Sequence, residues 1–214
     1  MSLKILGMTF ISLMLTVSSS NAELLTKEFS GKEMYGVKLS KSASAKVDQL
    51  NVDLVQVGAG LRTKKVLVAN IKVYTAELFV SEPLAVVKSD ADILETVSKV
   101  RAAAVQLTFL RSVEAEKVQV SFREALVANE VDINSPEINQ LFSFLAAGGE
   151  AKEKKTMTFL TIKNADGTET LSFEDTNGSV GMVKGNNLSK SIFSMWLGIP
   201  ADDGLIKLKA ELLN

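Results

Sequence analysis

The stretch "VGAGLRTKKVLVANIKVY", Val57 to Tyr74, places two closely spaced glycines before Arg62, then a run rich in β-branched residues that ends at Tyr74. As one unbroken strand it would hold Arg62 and Tyr74 about 40 Å apart, at about 3.3 Å per residue. If the chain reverses near Val68-Ala69, midway between them, the two become cross-strand neighbours with Cβ atoms about 5 Å apart. Val-Ala-Asn is a weak turn signal, in which only Asn70 has turn chemistry. The hairpin is therefore an expectation, and the use of both residues depends on it. Gly58 and Gly60 leave room for a second backbone or a ligand to approach the start of the strand.

The flanks extend the strand pattern. "LNVDLVQVG", from Leu50, alternates apolar and polar residues, and Val66 to Val80 is rich in β-branched residues. Upstream, "EMYGVKLS" (Glu33 to Ser40) reads as a strand with a glycine irregularity, and "SKSASAK" after it as a polar loop. The period changes at "DADILETVSKV", where Ile93, Leu94, Val97 and Val100 fall at helical spacing behind Asp90 as N-cap. "AAAVQLTFL" returns to strand, and "SVEAEKVQVSFREALVANEV" is helical, with Glu114 and Glu116 in a first turn that favours anions. Ser135-Pro136-Glu137 opens a helix that ends at Gly148-Gly149.

The last third holds a hairpin around "NADG", a short strand "GSVGMVKG", and an amphipathic helix "NNLSKSIFSMWLG". Asn187 is the candidate N-cap of that helix, and Gly198 with Pro200 stops it. The closing helix is "GLIKLKAELL". Strands come in runs and helices come in runs, which predicts α+β with a mainly antiparallel sheet rather than a doubly wound fold.

The 214 residues are 46% hydrophobic and the formal charge is −1. That balance speaks for a sizeable core and against a nucleic-acid partner. With no cysteine and no histidine, Ser-His and Cys-His catalysis and the common zinc sets are excluded. Acid–base work would fall to carboxylates, lysines or tyrosines. Gly58-x-Gly60 is followed by a strand instead of a helix, which removes the dinucleotide reading. Asp202-Asp203 lies in a Pro-Ala-Asp-Asp-Gly turn and reads as turn and N-cap chemistry. No cofactor is expected.

At the N-terminus, Lys4, the apolar run Ile5 to Val17 and the small-x-small Ser20-Asn21-Ala22 have the form of a cleaved secretory leader. Its thirteen residues are short of the roughly 20 that span a bilayer. The expected organisation is a signal peptide over 1–22 and one domain over 23–214, periplasmic or secreted, with no stable membrane span once the leader is removed.

An arginine stays charged in a protein, and its planar fork grips a carboxylate through two parallel bonds. A tyrosine hydroxyl adds a third donor. Burying such a pair at the edge of an apolar sheet is costly unless an anion meets it. Arg62 and Tyr74 are thus the candidate ligand-binding residues for an amphiphile with an anionic head.

"GAGLRTKKVLVANIKVYTAELFV", "VQLTFLRSVEAEKV" and "FSMWLGIPADDGLIKLKAELL" together resemble the chalcone isomerase-like superfamily in its bacterial secreted branch. The resemblance covers most of Val52 to Leu213. It implies an open-faced β-sandwich: a large antiparallel sheet, helices on one side and a ligand cleft between. It also implies a role for Arg62, which matches an active-site arginine of the plant enzymes. Tyr74 stands where those enzymes carry threonine and where the related fatty-acid-binding branch carries a tyrosine that contacts the carboxylate. Glu114 and Ser121 stand where the enzymes have tyrosine and asparagine, and Met195 where they have a late threonine. Without those polar groups the ketone of a flavonoid substrate lacks preorganised polarisation. The expected ligand is a small hydrophobic acid such as a fatty acid. The alternatives are an isomerase or intramolecular lyase that uses Arg62 as electrophile, and a structural role in which side chains close the cleft.

Overall fold

A computed structural model describes residues 23–47 and 50–214. The leader expected in residues 1–22 lies outside the described residues. Eight strands form one sheet in sequential order, every neighbouring pair antiparallel: β1 (Leu25–Met34), β2 (Val37–Val47), β3 (Leu50–Val66), β4 (Ala69–Val80), β5 (Ala102–Phe109), β6 (Thr156–Lys163), β7 (Glu169–Glu174) and β8 (Val180–Gly185). The helices are α1 (Ile93–Lys99), α2 (Ala115–Ala128), α3 (Pro136–Gly148), α4 (Leu188–Leu197) and α5 (Asp203–Leu212). The architecture is the expected α+β open-faced sandwich.

Alternation along the central strands builds two cores. Tyr74, Ala76, Leu78 and Val80 of β4 join Val105, Leu107 and Phe109 of β5 and Phe159 of β6 under the helices. The intervening residues, Phe79, Ala104 and Leu160, face the other way with Leu25, Ala43, Ala45, Val52 and Leu54. The N-terminal strands supply that second cover by curling back across the sheet. Lys27 of β1 donates to Gln106 of β5 at 2.6 Å, and the Leu24 amide donates to Glu174 of β7 at 3.1 Å. In a flat sheet those partners would be several strands away. The curl buries Glu77, whose carboxylate takes the Ser40 amide at 2.7 Å and lies 3.5 Å from Lys27.

Two stretches differ from the sequence reading. Glu33–Ser40 is the end of one strand and the start of the next, reversed at Tyr35-Gly36, where both residues have positive φ. The stretch Ser40–Lys46, expected as a loop, is strand: Ala43, Ala45 and Val47 point inward in strict alternation. Small side chains fit under the curled layer, and they make a weak hydropathy signal. Among the helices, α1 has Asp92 rather than Asp90 at its N-cap. Asp90 instead accepts Lys209 of α5 at 2.7 Å. Ser135 caps α3 through the Ile138 amide as expected. Asn187 sits at the N-cap position of α4 with a left-handed backbone and no capping bond from its side chain.

Candidate functional site

The long hairpin of β3 and β4 pairs Arg62 with Tyr74. The reversal falls at Leu67-Val68, with Val66 opposite Ala69, one residue earlier than the midpoint reading. A register shift between Arg62 and Thr63 interrupts the ladder there, and such bulges re-aim side chains.

The glycines upstream admit helix α5. A methyl group at Gly58 would strike the Leu212 carbonyl, and one at Gly60 would come 2.8 Å from Glu211 Cβ. With the helix seated this low, the Leu61 amide donates to Glu211 Oε2 at 2.6 Å. At the other end of α5 a methyl on Gly204 would strike the Thr63 carbonyl and Arg62 Nη1. The close approach anticipated from Gly58 and Gly60 is therefore made by the chain's own last helix.

That helix brings the anion. Asp202 is the N-cap of α5: its Oδ1 accepts the Gly204 and Leu205 amides, each at 3.0 Å. Its Oδ2 accepts Arg62 Nη2 at 2.7 Å and Lys64 Nζ at 2.9 Å. Arg62 Nη1 donates to the Thr63 carbonyl. Arg62 is 3% exposed, so the guanidinium is buried beneath its partner. Partial burial acts to raise the Asp202 pKa, but hydrogen bonds from Arg62 and Lys64, with the Leu205 amide, outweigh it and hold the carboxyl at about 2.

Tyr74 lies deeper. Its hydroxyl accepts Trp196 Nε1 of α4 at 3.0 Å, and its ring meets Phe109 edge-on with centroids 5.6 Å apart. Burial raises the phenol above its usual value, against the opposing influence of the Arg62 charge. Tyr74, Trp196, Leu205 and Leu208 all belong to the packed core under the helices. A groove of about 520 Å³ opens beside the ion pair, lined by Thr63, Lys64, Lys65, Asn70, Asp202 and Lys207 among others. Asp202 stands between that groove and Arg62.

Of the other positions weighed, Glu114 pairs with Lys117 at 2.9 Å on the surface, and Met195 is core. Sequence reasoning missed Asp202 as the partner of Arg62, and Trp196 as the partner of Tyr74. The N-cap role of Asp202 was readable; its second role needed the position of α5 over β3.

Residues 31–214 match the family described as chalcone isomerase-like. The chain belongs to the chalcone isomerase-like family. The resemblance read from the three sequence stretches is thereby borne out. No curated protein sequence matches the chain. Among solved structures, the crystal structure of an Arabidopsis thaliana fatty-acid binding protein is similar over 85% of this chain and 94% of that one, with a TM-score of 0.58 and 17% identity. At that identity the likeness shows the fold. Within this chalcone isomerase-like fold, the helix-covered face holds the Arg62–Asp202 pair at its rim and Tyr74 behind it.

Proposed function

We propose that the protein binds a fatty acid or similar anionic amphiphile, with the carboxylate held by Arg62 beside Tyr74. The observation that carries this reading is the Arg62–Asp202 pair. A buried guanidinium beside a phenol already receives a carboxylate here, and that carboxylate comes from the first turn of a helix that lines a groove. Asp202 occupies the place a ligand carboxylate would take in a closed form of the site.

Binding then requires exchange. The incoming carboxylate replaces Asp202 on Arg62, α5 lifts at its N-terminal end, and the tail enters between α5 and the sheet. Lys64 retains Asp202 near the rim during the exchange, since it contacts the same oxygen. The similarity to a fatty-acid binding protein supports the ligand class. The leader read in residues 1–22 supports a periplasmic or secreted setting.

The test is lipid extraction from the purified protein followed by mass spectrometry. An acidic amphiphile should accompany the wild-type chain and be lost from Arg62→Ala. Asp202→Asn keeps a capping side chain while removing the competing charge, so it should carry more lipid than wild type. Full lipid occupancy in Arg62→Ala, or no acidic lipid in wild type and Asp202→Asn alike, rules the reading out.

A further inference from the structure

The tip of the β3–β4 hairpin combines two physical costs. Leu67 is the first of two turn residues and has φ +54°. A two-residue hairpin turn with positive φ at that position favours glycine, because a Cβ is strained in the left-handed region. The same leucine is 91% exposed, Val68 beside it is 97% exposed, and Val66 is half exposed. Neither the turn nor the folded core gains from apolar residues here.

The hairpin's own charges toward the tip have one sign, although Asp202 and Glu124 offset Arg62 and Lys64, which leaves Lys65 and Lys72 as the cations that serve the tip. From Leu54 to Ala76 the chain carries Arg62, Lys64, Lys65 and Lys72 and not one aspartate or glutamate. Lys72 reaches 4.1 Å from the centroid of the Tyr35 ring. That contact brings the half-exposed Tyr35, at the turn between β1 and β2, to the same end of the sheet. On the other side, the groove runs from Lys65 past Asp202 and Asp203 to Ile206 and Lys207 of α5, so its charge is mixed and the cations left to the tip are Lys65 and Lys72.

We propose that this end of the molecule docks on an anionic lipid surface, with Leu67 and Val68 inserted and the lysines at headgroup level. A convex tip of three aliphatic side chains is too small for a stable protein interface, which needs about 800 Å² from each partner. It suits shallow insertion into a bilayer. Tyrosine settles at the membrane–water interface, and each lysine near an anionic surface adds to the attraction. The proposal rests on the tip alone and is independent of what Arg62 binds.

The chain contains no cysteine, so Val68→Cys can carry a polarity-sensitive fluorophore as a single reporter, with Val180→Cys at the far edge strand as control. Vesicles of phosphatidylcholine alone are compared with vesicles that also contain phosphatidylglycerol. The Val68 label should shift to the blue on the anionic vesicles, far less on the neutral ones, and less as salt is raised; the Val180 label should not move. Leu67→Gly with Val68→Ser relieves the turn, so it should fold as well as wild type. It should bind the anionic vesicles at least roughly tenfold more weakly, the loss expected from removing two inserted aliphatic side chains. An unmoved Val68 label, an equal shift on both vesicle types, or undiminished binding by the double variant overturns the proposal.

Discussion

Arg62 Nη2 and Asp202 Oδ2 lie 2.7 Å apart although 140 residues separate them in sequence. The contact ties the bulged end of β3 to the first turn of α5. It also supplies the anion without which a buried guanidinium would be strongly destabilising.

Asp202→Asn separates the two duties of this residue. Asparagine caps a helix as well as aspartate does, so the loss should come from leaving Arg62 without a counter-charge. Breaking a buried pair from one side costs about 3 kcal/mol, and urea denaturation should show a drop of that order. Combining it with Arg62→Ala should cost less than the two single losses together, because the partners act as a unit. Simple additivity would show that the pair contributes nothing.

The Asp202 carboxyl, held at about 2, makes the pair acid-sensitive in one direction. A depressed folded-state pKa gives stability that is present above the ordinary aspartate value, near 4, and is lost as pH falls through about 2. Carboxyl NMR titration should place the Asp202 midpoint near the lower value. A midpoint near 4 would mean that the carboxylate is free in water.

Gly204→Ala tests the seating of α5 by the sign of its effect. In an exposed helix interior this change stabilises by roughly 0.8–1 kcal/mol. Here the added methyl meets the Thr63 carbonyl and Arg62 Nη1, and overpacking of that kind costs about 1–3 kcal/mol. A lower thermal midpoint is expected; a higher one would place α5 farther from β3.

Much of this arrangement is legible in the sequence, for reasons specific to each part. The hairpin follows from β-branched periodicity on both sides of a midpoint, and counting outward from that midpoint sets Arg62 opposite Tyr74. The real turn lies one residue earlier, which alone would bring Val73 opposite Arg62, and the bulge between Arg62 and Thr63 restores Tyr74. The helices announce themselves through caps such as Ser135 and stops such as Gly198-Ile199-Pro200. The strand over Ser40–Lys46 is hidden because its inward residues are mostly alanines, whose fit depends on how closely the curled layer approaches. Asp202 looks like an ordinary cap because a sequence does not reveal that α5 returns to β3. Gly58 and Gly60 show that something approaches there without revealing that it is a helix of the same chain.

Tyr74 should report on the buried side of the site. Its phenol sits above the usual value of 10.0 because burial disfavours the phenolate. Its contribution to stability is intact below pH 10.0 and is lost as pH rises through the higher folded value. Tyr35→Phe leaves Tyr74 as the single tyrosine, and ultraviolet difference spectra should show it un-ionised at pH 10.0 until the protein unfolds. Tyr74→Phe should leave the Trp196 N–H without an acceptor, at a cost of about 1–3 kcal/mol. An unchanged denaturation midpoint would remove the Trp196 hydrogen bond from the account.

The most direct test is NMR of a long-chain fatty acid labelled with ¹³C at its carboxyl, titrated with the protein. Arg62 should give a bound carboxyl resonance that stays ionised at acidities where the free acid is protonated, and Arg62→Ala should abolish that resonance. A bound resonance that titrates like the free acid, or one that persists unchanged in Arg62→Ala, would contradict a carboxylate held at Arg62.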